Sequence, residues 1–83
     1  MAWLNELMPA SQRARIAYSI FPNQLHIGDR FTDADGEWEI ASRPLLFKKG
    51  HEVRARVRRT DDPRAVREIR WPAQERLTIR RPS

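Results

Sequence analysis

The sequence predicts a mainly β (α+β) protein, a small five-stranded antiparallel barrel or rolled sheet that follows an N-terminal helical arm. Three observations predict this fold. Five short segments from residue 25 onward alternate apolar and polar side chains with a period of two. Turn residues separate these segments at intervals of about a dozen residues. The apolar side chains of the first 24 residues are instead spaced as in a helix.

The composition indicates one small domain that is stabilised by packing and strand pairing. The chain has 83 residues, enough for one hydrophobic core, and no cysteine, so it has neither disulfides nor thiolate metal sites. No apolar run approaches the roughly 18 residues of a membrane span. The N-terminus lacks the positive charge and apolar run of a secretory signal. We therefore expect a cytoplasmic protein with no membrane partner.

The arm is predicted over residues 1–24, and the β-barrel domain over residues 25–83. Four apolar side chains with helical spacing begin the arm and predict a short docking element before Pro9: Trp3, Leu4, Leu7 and Met8. A second helix is predicted from Ala10 to about Ile20. Pro22 disfavours helical geometry at the residue before it, so this helix should finish there.

The first two strands of the domain form a predicted hairpin. A turn at residues 33–36 separates two runs whose apolar side chains share a face: Leu25, Ile27 and Phe31 in the first, Trp38 and Ile40 in the second. Asp29 has the parity of the apolar residues around it. Because an unpaired buried carboxylate is costly, we expect Asp29 at the rim of the core or bonded to a donor.

The clearest strand covers residues 51–60, where valine and alanine alternate with charged side chains. Two further strands are predicted over residues 65–71 and 76–80, with Trp71 and Trp38 in the core. A helical turn at residues 72–75 precedes the last strand. In this placement the chain from residue 25 to 81 resembles the Src-homology-three-like (SH3-like) barrel plan. The resemblance rests on strand number and turn position, without a specific motif, and it implies a fold and no function.

Basic side chains are concentrated in the second half of the chain. The net charge is +5, and residues 40–83 carry thirteen Lys and Arg against five Asp and Glu. We therefore predict a non-enzymatic binding module that presents a basic β-face to an anionic partner, with nucleic acid of any sequence as the leading candidate. The predicted nucleic-acid-binding residues are Arg54, Arg56, Arg58, Arg59, Arg67 and Arg70.

Two other interpretations of the arginines stay open. If the strand at residues 37–41 pairs with the strand at residues 53–58, Glu37 and Glu39 reach the face of the arginines and form cross-strand ion pairs. The charged face would then only keep the sheet soluble. The partner of a free basic face is alternatively an acidic protein.

The rival functional hypothesis is a protein-interaction or self-association module. Its predicted partner-binding residues are apolar and lie in the arm and in a loop with basic flanks: Trp3, Leu4, Leu7, Leu45, Leu46 and Phe47. The structural alternative is that residues 45–47 are the end of one strand and the start of the next, and that they cap the barrel or pack on the N-terminal helix, because three adjacent exposed apolar side chains are unusual in a monomer.

The sequence indicates no catalytic, cofactor or metal site. The acidic turn at residues 33–37 lacks the later ligands of a calcium loop, and Asp-Gly between alternating runs is typical of a hairpin. His26 and His51 are the only histidines and have no second ligand at metal-binding spacing. No glycine-rich phosphate loop is present, and we predict no small-molecule substrate.

Overall fold

A computed structural model describes residues 16–81, and within them the fold is one antiparallel sheet with seven strands. The strands are β1 (Ala17–Ile20), β2 (Arg30–Asp33), β3 (Gly36–Ile40), β4 (Leu45–Phe47), β5 (Glu52–Arg59), β6 (Val66–Pro72) and β7 (Leu77–Arg80). A 3₁₀ turn, Pro22–Gln24, connects β1 to the rest of the sheet. The predicted mainly β class is confirmed.

The central element of the sheet is β5, its longest strand. The order is β1-β7-β2-β3-β5-β4, and β6 pairs with the other edge of β5. One half of β5 pairs with β3 and the other half with β4, whereas β6 follows β5 along its length. The sheet curls without closing, and in residues 16–81 the strands β1, β4 and β6 each pair with one neighbour only. The result is a half-barrel, which fits the predicted rolled sheet.

The core fills the concave side of the curled sheet, which we call the core face. Its buried members come from β3, β5, β6 and β7 and from the segment before β2: Leu25, Trp38, Ile40, Val53, Ala55, Val57, Trp71 and Ile79. Phe31 packs edge-on against Trp71, with ring centroids 6.1 Å apart. The prediction that Trp38 and Trp71 lie in the core is confirmed.

The prediction of five strands is wrong, because β1 and β4 are strands as well. The predicted helix from Ala10 to Ile20 is also wrong over its last four residues. There β1 pairs antiparallel with β7, with Tyr18 opposite Ile79. Pairing with β7 gives the backbone N–H and C=O groups on one edge of these residues hydrogen-bond partners, whereas a short isolated helix is only marginally stable in water. The first part of the predicted helix lies outside the described residues.

The predicted hairpin is confirmed for β2 and β3, which are joined at the turn where Asp33 opposes Gly36. The first strand of this hairpin, β2, begins at Arg30 and not at Leu25 as predicted. The reason is that Gly28 and Asp29 both lie opposite Ile40 of β3. The Gly28 N–H donates to the Ile40 carbonyl (2.9 Å), and the Ile40 N–H donates to the Asp29 carbonyl (2.8 Å). Two residues opposite one form a β-bulge, and Gly28 supplies its positive φ of 98°.

Candidate functional site

The arginines of β5 lie on the convex side of the sheet, which we call the outer face. Val53, Ala55 and Val57 are buried on the core face, so the residues between them point the opposite way. The alternation predicted for this strand is confirmed. Arg54, Arg56 and Arg58 therefore follow one another along the outer face.

Of the three other predicted nucleic-acid-binding arginines, only Arg70 shares this face. Arg70 lies directly opposite Arg54, whereas Arg67 lies opposite buried Val57 and Arg59 opposite buried Trp38. Residues directly opposite each other share a face, so Arg67 and Arg59 belong to the rim of the core face. The six predicted residues thus form two groups on opposite sides of the sheet.

Arg67 and Arg59 cover the Trp38 ring. Their guanidinium carbons lie 4.6 Å and 5.6 Å from its centroid. Each is also held by a carboxylate, Arg67 by Asp35 at 3.2 Å and Arg59 by Asp61 at 2.9 Å. The hydrogen bond between Arg59 and Asp61 raises the pKa of Arg59 and lowers that of Asp61. These two arginines therefore have a structural role in closing the end of the core.

Carboxylates also neutralise most of the outer-face arginines. Arg58 donates two hydrogen bonds to Glu39, at 2.9 and 3.2 Å, and Glu39 lies opposite it on β3. Arg54 donates to Glu52 at 2.7 Å, and this bond lowers the pKa of Glu52. The cross-strand ion pairs expected from the sequence are therefore present for Glu39. Glu37 instead accepts a hydrogen bond from Thr60 and lies 3.9 Å from Arg80.

Arg56 is the exception on β5. Within residues 16–81, no carboxylate oxygen lies within 4.0 Å of the Arg56 guanidinium. Its backbone N–H donates to the Ser42 hydroxyl at 2.8 Å, where the chain leaves β3 and residues 42–44 bridge to β4. Arg43, in this bridge, is also without a carboxylate at that distance in the described region. Arg56 and Arg43 thus both lack a carboxylate within 4.0 Å in the described residues, and the acidic residue opposite Arg56 on β6 is Glu68.

The segment Leu45–Phe47 is the edge strand β4 and not the predicted loop. Leu45 pairs with Arg54 and Phe47 with Glu52, so both side chains lie on the outer face, and Leu46 lies on the other side opposite Val53. Leu45 and Leu46 are each 60% exposed. The Arg54 guanidinium carbon lies 4.0 Å from the centre of the Phe47 ring. The structural alternative is confirmed in that the segment is a strand. Leu45 and Leu46 are not buried as a cap, and the alternative of packing on the N-terminal helix lies outside the described residues.

These features meet in an open groove of about 410 Å³ on the outer face. Its lining residues are Ser42, Arg43, Leu45, Phe47, Arg54, Ala55, Arg56 and Glu68. Arg43 also borders a neighbouring pocket of about 510 Å³ beside His26 and Ile27. The groove, which we call the β4–β5 groove, therefore combines members of both predicted binding sites. Four lining residues are absent from the predicted binding residues: Ser42, Arg43, Ala55 and Glu68.

The predicted partner-binding residues Trp3, Leu4 and Leu7, with Met8, lie outside the described residues. Among residues 16–81, no group of three His, Asp or Glu side chains is arranged to hold a metal ion. The side chains of His26 and His51 are exposed, and the backbone carbonyl of His51 accepts a hydrogen bond from Ala73. Along the same stretch, no helix has the length and apolar character needed to cross a membrane.

Comparisons with known proteins identify no relative of this chain. No protein-family profile, curated protein or solved structure matches this chain. The chemistry of the residues themselves is therefore the evidence on function.

Proposed function

We propose that the protein is a non-enzymatic binding module that engages single-stranded nucleic acid through the β4–β5 groove. The observation that carries this proposal is the position of Arg56 and Arg43, which have no carboxylate partner in the described residues, beside the exposed apolar surface of Leu45 and Phe47. Free guanidinium groups bind phosphates, and planar or apolar side chains between them accept a base.

Arg54 and Phe47 support a stacking role for the groove. The guanidinium carbon of Arg54 lies 4.0 Å from the centre of the Phe47 ring, a cation–π contact, and Arg54 also donates a 2.7 Å hydrogen bond to Glu52. A base that stacks on an ordered guanidinium plane gains contact at little conformational cost. The volume of about 410 Å³ is within the range of small ligand clefts, roughly 300–1,000 Å³.

The ion pairs around the groove leave few positive charges free to bind phosphates. Arg54 and Arg58 are already paired with Glu52 and Glu39, so they contribute little to the release of counterions from a nucleic acid. Phosphate binding is then carried by Arg56 and Arg43. We therefore expect weak, salt-sensitive binding that depends on few charges, without sequence readout.

A salt series with charge variants tests this function. We would measure the affinity of fluorescent random-sequence single strands and duplexes from about 50 to about 200 mM salt, where each phosphate contact to a single strand contributes about 0.7 to the log–log slope. Arg56→Gln and Arg43→Gln should each reduce the slope by about that amount. Arg67→Gln is the matched control, because it removes the same charge from the other side of the sheet.

Three results would contradict phosphate binding by Arg56 and Arg43. They are undetectable binding at low salt, an affinity that does not change with salt, and equal loss of affinity in Arg56→Gln and Arg67→Gln. The last result would mean that net charge alone attracts the nucleic acid. Tighter binding of duplexes than of single strands would contradict the role of base stacking in the groove.

The exposure of the β4 leucines favours a second candidate function, a protein-interaction module. Leu45 and Leu46 are both 60% exposed on opposite faces of an edge strand. A photo-crosslinking side chain at Leu46 should capture a protein partner in cells, and the same group at Thr78 on β7 should not. Equal crosslinking from both positions, or from neither, would contradict this candidate.

A further inference from the structure

In residues 16–81, the edge of β6 that faces away from β5 has backbone N–H and C=O groups without a partner strand. Within residues 16–81, β6 pairs with β5 alone, so its second edge has no partner strand. Exposed strand edges of this length are sites where another chain adds a strand. The edge includes seven residues, Val66–Pro72.

The hydrogen bonds at the two ends of β6 show which residues face this edge. The Arg59 N–H donates to the Ala65 carbonyl (3.1 Å), and the Ala73 N–H donates to the His51 carbonyl (2.8 Å). Because the two sides of an antiparallel strand alternate, the odd-numbered residues between them bond to β5. Val66, Glu68 and Arg70 therefore direct both their N–H and C=O groups to the open edge, and Pro72 directs its C=O.

The charges along this edge select one pairing with a second copy. In a symmetric antiparallel pair, residues facing the edge lie opposite each other, and the register is fixed by the residue on the two-fold axis. An axis at Glu68 opposes two glutamates, and an axis at Arg70 opposes two arginines, which is unfavourable in both cases. An axis at Ile69 places Glu68 of each copy opposite Arg70 of the other.

The environment of Arg70 within one chain favours the same pairing. Arg70 lies directly opposite Arg54, a like-charged pair, and its nearest carboxylate within the described chain is Glu68 at 3.7 Å. Arg54 is already held by Glu52 at 2.7 Å. Glu68 of a second copy would offset the repulsion between the two arginines. On the core face, the same register places Ile69 against Ile69 and Arg67 against Trp71.

We propose that the protein forms a symmetric dimer in which two β6 strands pair antiparallel with Ile69 on the two-fold axis. The two sheets join into one continuous sheet, and their outer faces lie on the same side, because side chains opposite each other share a face. The dimer presents two β4–β5 grooves on one surface. It does not depend on what those grooves bind.

Single-cysteine variants test the register directly, since the chain contains no cysteine of its own. Residues on the axis form a non-hydrogen-bonded pair with Cα atoms about 4.5 Å apart, inside the disulfide range of about 4.4–6.8 Å. Ile69→Cys should therefore oxidise to a covalent dimer. Arg67→Cys is the matched control, because the two copies of residue 67 would be about 13 Å apart along the strands.

Charge reversal on the exposed edge tests the same interface without touching the core. Glu68→Arg should weaken the dimer by at least about tenfold, since it opposes two pairs of arginines. The double variant Glu68→Arg/Arg70→Glu should restore dimerisation, and Glu75→Arg, a similar charge change outside β6, should leave it unchanged. Sedimentation equilibrium without nucleic acid measures all four proteins, so the result is separate from that of the proposed function.

Dimerisation of the unmodified protein, lost in Glu68→Arg and recovered in the double variant, supports the proposal. A strict monomer at all concentrations overturns it, as does a dimer that Glu68→Arg leaves intact. Hydrogen exchange of the Val66, Glu68 and Arg70 amides gives an independent readout. Protection that does not change with protein concentration would show that another part of the same chain covers the edge, and would also overturn the proposal.

Discussion

Asp29 is the one buried charged side chain among the described residues, and Arg81 makes its burial tolerable. Asp29 is 1% exposed. Its two oxygens accept hydrogen bonds from Arg81 at 2.9 and 3.0 Å, and one of them also accepts from the His26 N–H at 2.8 Å. The hydrogen bond that Arg81 donates to Asp29 raises the pKa of Arg81, so the guanidinium stays charged. The expectation that Asp29 is bonded to a donor is confirmed.

The first prediction follows from this pair. Removing Arg81 leaves a buried carboxylate without its counter-charge, so Arg81→Ala should lower the free energy of unfolding by about 3 kcal/mol. Arg80→Ala, one residue earlier, removes an exposed pair with Glu37 at 3.9 Å and should cost less than about 1 kcal/mol. Urea denaturation of both variants checks the difference. Equal losses would contradict a special role for Asp29.

Asp33 and Trp38 couple the stability of the β2–β3 hairpin to pH. The Trp38 Nε1–H donates to Asp33 at 2.9 Å, and this hydrogen bond lowers the pKa of Asp33 below its usual range. A carboxylate with a depressed pKa in the folded state stabilises the protein above its unfolded pKa, about 3.9. That contribution is lost as the pH falls through the lower, folded value.

The second prediction is a stability difference that depends on pH. Asp33→Asn should be less stable than the unmodified protein at neutral pH, and the difference should shrink as the pH falls below about 4. Tryptophan fluorescence during urea denaturation at several pH values measures it. Because Asp61 and Glu52 also have lowered pKa values, only the difference between the two proteins isolates Asp33. A difference that is constant with pH would contradict this role.

At the scale of the elements, the turn between β2 and β3 depends on Gly36. Its φ is +129°, and a Cβ added there would lie 2.9 Å from Nη2 of Arg59. Gly50, before β5, has a φ of +85° and open space around the added Cβ. A side chain at φ near +129° is more strained than one near the left-handed helical region.

The third prediction compares these two glycines. Gly36→Ala should lower the free energy of unfolding by about 2 kcal/mol, and Gly50→Ala by about 1 kcal/mol. Thermal denaturation ranks the two variants. An equal or larger loss in Gly50→Ala would contradict the strain assigned to Gly36.

Side-chain alternation predicted the strands that carry a clear pattern and failed for those that do not. β5 was predictable because Val53, Ala55 and Val57 alternate with charged residues. β1 has small and polar residues at Ala17 and Ser19, a composition that also suits a helix, and only its pairing with β7 decides the outcome. β4 consists of three consecutive apolar residues, which carry no period of two.

At the scale of the whole molecule, ion pairing is what the sequence could not predict in full. The arginine face was predicted, and so was its pairing with Glu39. Arg59 has the parity of Val57 on β5, and Arg67 has that of Trp71 on β6, so the alternation itself separates both from that face, and the observed pairings agree. The proximity of Arg56 to Leu45 and Phe47 depends on the pairing of β4 with β5, between segments joined by a loop.

The two sides of the curled sheet differ in what they hold. The core face holds the hydrophobic cluster and is closed at its rim by Arg59 and Arg67 over Trp38. The outer face holds the β4–β5 groove. One open end of the sheet, β6, is the proposed contact between two copies. Glu68 belongs both to the lining of the groove and to this contact, so the two proposed surfaces adjoin on the outer face.

NMR mapping would locate the surface of the protein that contacts a single strand, which we propose is the β4–β5 groove. We would titrate the ¹⁵N-labelled protein with a short single-stranded oligonucleotide at low salt and follow the backbone amides and the arginine Nε–H signals. We expect the largest shifts at Arg43, Leu45, Phe47, Arg54 and Arg56, and none at Arg59 or Arg67. Shifts centred on Arg59 and Arg67, or spread evenly over all arginines, would contradict it.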